Sequence, residues 1–70
     1  MGEQGATEAE SDLRRAADGM GDMAGKAEML ASELRAAGWT TSARAATGIE
    51  TRCRTLQSQL TRLADAEADE

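Results

Sequence analysis

Apolar residues recur at alternating three- and four-residue intervals along almost all of this 70-residue chain, and the recurrence breaks once, at Gly38. In the first half Leu13, Met20, Ala27 and Leu34 fall at one heptad position, a, and Ala16, Met23, Leu30 and Ala37 at another, d. Position e is alanine three times running, at Ala17, Ala24 and Ala31. Beyond Gly38 the a positions are Ala46, Cys53 and Leu60, and the d positions are Ile49, Leu56 and Leu63; Trp39 and Ser42 carry that register back by one heptad. This is the period of an α-helix, no stretch alternates with period two, and proline is absent. The pattern predicts an all-α hairpin over residues 9–66: a helix over 9–37, a turn at 38–40 and a second helix over 41–66. Each helix is roughly 40 Å long at 1.5 Å per residue. Acidic tails at 1–8 and 67–70 are expected to be disordered.

The turn has its own chemistry. Gly38 can adopt the left-handed conformation that ends a helix, and Thr40 or Thr41 can accept a hydrogen bond from the free amides that begin the next one. So short a link makes the two helices antiparallel neighbours. Gly19, Gly21 and Gly25 fall inside the first helix, where each costs about 1 kcal/mol relative to alanine. A break near Gly19–Gly21, giving three helices, is the alternative topology.

An a/d/e stripe is wider than one neighbouring helix can cover, as expected for a helix in a multi-helix bundle. Chains this short expose about 40% of their unfolded surface even when folded, and usually need a staple or a partner. Cys53 is the only cysteine, so no internal disulfide forms, and no histidine is present to complete a zinc site. Oligomerisation remains: the hairpin is expected to be half of a dimeric four-helix bundle. Its interface would comprise Leu30, Leu34, Ile49, Leu56, Leu60 and Leu63, with Met20, Met23 and Trp39 at the ends. Trp39, at the hairpin tip, would either cover the end of the seam or anchor a partner.

Charge divides along the chain. Residues 1–39 carry eight acids and four bases, whereas residues 40–63 carry Arg44, Arg52, Arg54 and Arg62 against Glu50 alone. The formal net charge of −5 argues against a nucleic-acid backbone or an anionic membrane as the usual partner. The four arginines nonetheless define an alternative, a small regulatory hairpin of phage or plasmid type binding RNA or a DNA-associated protein. No aromatic side chains accompany them to stack on bases. No apolar run approaches the roughly 18 residues of a membrane span, and the acidic N-terminal stretch lacks the core of a cleavable signal peptide. The expected location is cytoplasmic, or secreted without such a peptide.

Little here suggests catalysis. A two-helix hairpin offers no concavity, and no histidine is available for acid–base work. Cys53 lies on the apolar stripe, where a thiol behaves as a small inert hydrophobe. Residues Gly21 to Lys26 only superficially resemble a phosphate loop: Ala27 stands where a hydroxyl should bind magnesium, and no strand precedes it. The pairs Glu28/Glu33 and Glu8/Asp12 are spaced as helix-surface charges and lack the Glu-x-x-His companion of a di-metal bundle. No cofactor, metal or small-molecule substrate is expected.

The segment Gly38-Trp39-Thr40-Thr41-Ser42-Ala43-Arg44-Ala45-Ala46, followed by Ile49 and the Leu56/Leu60/Leu63 ladder, resembles the ESAT-6-like, or WXG100, proteins of type VII secretion. The likeness covers residues 28–64. It implies an antiparallel hairpin that pairs with itself or a related hairpin into a four-helix bundle. Thr41 stands where that family has glycine, and the absence of tyrosine removes the Tyr-x-x-x-Asp/Glu export signal of many members. The sequence thus points to a non-enzymatic interaction module that dimerises, homo or hetero, through alanine and leucine faces.

Overall fold

A computed structural model describes the backbone of residues 2–69 and the side chains of residues 8–69. Two helices, α1 (Gly2–Ala36) and α2 (Thr40–Ala68), pack antiparallel along their whole common length. Helix α1 begins at Gly2 and α2 ends at Ala68, beyond the limits of 9 and 66 that the heptads suggest. α1 is continuous through Gly19, Gly21 and Gly25, so the three-helix alternative does not hold. The molecule is a rod of 55 × 13 × 10 Å with a radius of gyration of 16.0 Å. A compact 70-residue domain would have a radius near 11 Å.

The turn forms as its glycine requires. Gly38 has φ +86°, the only positive value among the described residues. The Trp39 amide donates to the Leu34 carbonyl at 2.8 Å and the Gly38 amide to the Arg35 carbonyl at 3.1 Å. These two bonds satisfy carbonyls that the end of α1 would leave free, in the Schellman arrangement. The start of α2 differs from expectation. Trp39 occupies the N-cap position, and no side chain caps the helix, so neither Thr40 nor Thr41 plays that part. The helix begins instead with the Ala43 amide donating to the Trp39 carbonyl at 2.9 Å.

The core is made of small side chains. Ala17, Ala24, Ala27 and Ala31 of α1 are buried against Ala43, Ala46, Cys53 and Ala64 of α2. These are heptad positions a and e, not a and d. Leu13, Met20, Leu34 and Leu60, also at a, are half-buried at the margin of the seam. A methyl group set against a methyl group lets two helix axes approach at the short end of the usual 8–10 Å range. The same substitution of small for large limits the gain. Each buried methyl contributes about 0.8 kcal/mol, against roughly 2–3 kcal/mol for a buried leucine or methionine.

Candidate interaction surface

Successive residues of an α-helix turn by about 100°, so position d lies roughly 80° to one side of an a/e seam and position b roughly 80° to the other. In an antiparallel pair, equal rotations of opposite sense bring the d positions of both helices to one face and the b positions to the opposite face. The cross-helix contacts fix the levels. Arg14 meets Asp65, Gly21 meets Gln57, and Glu28 meets Arg54. In that register Ala16 stands level with Leu63, Met23 with Leu56, and Leu30 with Ile49.

The d face is apolar and open. Met23 is 51% exposed, Leu30 50%, Ile49 49%, Leu56 46% and Leu63 55%. Five large apolar side chains on a chain this small therefore keep about half their surface in water while alanines fill the core. Of the residues expected at an interface between two hairpins, Leu34 and Leu60 are half-buried within this one, and Leu30, Ile49, Leu56 and Leu63 are exposed. The physical reason is size: the alanines at e and the small residues at a allow close approach, and the bulkier d side chains are displaced to the flank. Met20 lies half-buried beside the seam. Trp39 is 64% exposed at the tip, so it does not cover the seam's end. It forms part of a shallow, open depression of about 450 Å³ with Gly38, Thr40, Thr41 and Ser42.

The opposite face is polar and internally paired. Arg14 bridges from Glu10, at 2.9 Å, across to Asp65, at 3.0 Å. Arg54 bridges from Glu50, at 2.9 Å, across to Glu28, at 3.1 Å. Donating hydrogen bonds to the Glu10 and Asp65 carboxylates raises the Arg14 guanidinium above its ordinary range, and donating to Glu50 and Glu28 raises Arg54. Both arginines are solvent-exposed, so these pairs set which side of the hairpin is polar and contribute little to its stability. Gln57 lies over Gly21, whose missing side chain leaves room for the amide: a β-carbon there would meet the Gln57 Nε2 at 2.7 Å.

The four arginines of α2 do not converge. Arg44, Arg52, Arg54 and Arg62 fall at four different heptad positions, spread around the outward half of the helix over about 27 Å of its length. Arg54 is already engaged by two carboxylates. Cys53 is buried in the alanine seam, as its place on the stripe indicated. Among the described residues no three His, Cys, Asp or Glu side chains come together as a metal site, and no helix is long and apolar enough to cross a membrane.

Comparison with family models, curated proteins and solved structures returns no match.

Proposed function

We propose that this chain is a non-enzymatic protein–protein interaction module, and that it pairs through its d face with a second helical hairpin, its own copy or a related chain. One observation carries the reading: Met23, Leu30, Ile49, Leu56 and Leu63 are half-exposed on a single face while the buried seam is almost entirely alanine. Contiguous apolar surface rimmed by polar residues marks interaction sites on soluble chains. The division of labour within each stripe supports it. Positions a and e join the two helices of one hairpin, and position d is left to join two hairpins into a four-helix bundle. The resemblance to ESAT-6-like hairpins at the Trp39 turn implies pairing of the same general kind.

The test compares two aspartates placed one residue apart. Leu56→Asp puts an unpaired charge at the centre of the proposed interface, where burying it is strongly unfavourable. Thr55→Asp adds the same charge on the outward side. Sedimentation velocity should find Leu56→Asp monomeric at concentrations where Thr55→Asp still assembles. Assembly of Leu56→Asp with unchanged affinity would contradict the reading.

A further inference from the structure

Resting on the pairing reading, we infer that Met23 is an oxidation site through which peroxides separate the paired hairpins. The methionines of the described residues differ in their surroundings. Met20 is half-buried at the margin of the seam, whereas Met23 is 51% exposed and Met29 65%. Met29 falls at heptad position c, about 180° around α1 from the seam, and belongs to neither apolar stripe. Among them, Met23 alone joins an accessible thioether to a place at the middle of the d face, level with Leu56 and one heptad from both Ala16 and Leu30. The remaining sulfur, that of Cys53, is buried among alanines. The step itself is a two-electron oxygen transfer. The Met23 sulfur attacks one oxygen of hydrogen peroxide or an alkyl hydroperoxide, and a sulfur–oxygen bond forms as the oxygen–oxygen bond breaks. The sulfur is oxidised to the sulfoxide. The transferred oxygen passes its proton to the departing one, which leaves as water or an alcohol.

The product matters because of where it stands. Oxidation turns a flexible apolar side chain into a polar one that accepts hydrogen bonds. Ala16, Leu30, Ile49 and Leu56 have no side-chain donor to offer it, and Lys26, three residues on, is exposed at the rim. Covering the d face would strip water from an oxygen left without a partner, and association would weaken by about tenfold or more. The separate hairpin loses nothing, because half of the Met23 side chain is already in water and its sulfoxide stays hydrated. Pairing and oxidation therefore oppose each other. The paired chain shields the sulfur, and the oxidised chain resists pairing. A sulfoxide reductase, which removes the oxygen as water while two of its thiols become a disulfide, restores the thioether and with it the association.

Hydrogen peroxide on the purified chain, in a Cys53→Ala background that keeps the seam small, provides the test. Peptide mass spectrometry follows each methionine, and sedimentation velocity follows assembly. Met23 should oxidise more slowly as chain concentration rises while Met29 keeps one rate, and the oxidised chain should pair about tenfold or more weakly. Leucine conserves the volume of methionine, so Met23→Leu should pair normally and still pair after peroxide. Met29→Leu should lose pairing on treatment as its parent does. Undiminished pairing of chain oxidised at Met23, or an equal loss in Met23→Leu, would overturn the inference while leaving pairing intact. Failure of the untreated chain to assemble at any concentration, with Met23 oxidised at one rate throughout, would overturn the pairing reading and the inference with it.

Discussion

At the scale of single residues, the hairpin is governed by the difference between a methyl group and anything larger. Ala24 and Ala64 are fully buried, and Ala17, Ala31, Ala43 and Ala46 nearly so. Ala24→Leu would force three more carbons between backbones already in close approach, and overpacking of this kind costs about 1–3 kcal/mol. Urea melts should show the loss, whereas Ala45→Leu, on the exposed side of α2, should be close to neutral. Among the helix glycines, Gly19, Gly25 and Gly48 face open space. Alanine at each should stabilise by about 0.5–1 kcal/mol through helix propensity, and Gly21→Ala should gain less because the Gln57 amide has to move. Thermal melts of the four variants at one concentration would rank them. The ion pairs make a prediction about pH. Hydrogen bonding to their carboxylates raises Arg14 and Arg54 above the ordinary guanidinium value, so while the carboxylates are ionised their contribution is present below that value and is lost as the pH rises through the raised one. Helicity should therefore hold from neutrality to about pH 10, and a loss in that window would place the controlling group elsewhere.

At the scale of the elements, the two helices and their connection were legible from heptad spacing and Gly38. The choice of inward stripe was not. A repeat of three and four is satisfied equally by positions a with d and by positions a with e, so periodicity alone leaves the rotation of each helix open by tens of degrees. Side-chain size resolves it. Alanine at 17, 24 and 31 in α1, with Ala43 and Ala64 at the equivalent position of α2, was the available signal that e rather than d lines the closest approach. The helix cap was misread for a related reason: Thr40 and Thr41 have capping side chains, but the Schellman bonds at Gly38 bring Trp39 to the cap position first. Gly38 itself is held at φ +86° with open space around it, so only backbone strain opposes a side chain there. Gly38→Ala should cost about 1 kcal/mol in a denaturant melt, and Gly38→Asn, which tolerates the left-handed region better, should cost less. Equal cost for the two would indicate that something other than backbone conformation constrains the turn.

At the scale of the whole molecule, the rod has two unlike faces and two unlike ends. One face carries the carboxylate–guanidinium bridges that tie α1 to α2, and the other carries Met23, Leu30, Ile49, Leu56 and Leu63. A 7.4 kDa chain folded compactly would expose about 4,200 Å², and this one exposes 5148 Å². The excess goes with the elongated, two-helix shape, which leaves the large apolar side chains of the d face in solvent. On the proposed pairing, folding and association are linked, and the stability of the hairpin should rise with its concentration. Sedimentation equilibrium with far-UV circular dichroism across the same concentration series tests this most directly. The expected result is a helical dimer whose dissociation on dilution is accompanied by loss of helicity and a lower melting temperature. A fully helical monomer, with a melting temperature independent of concentration, would contradict it.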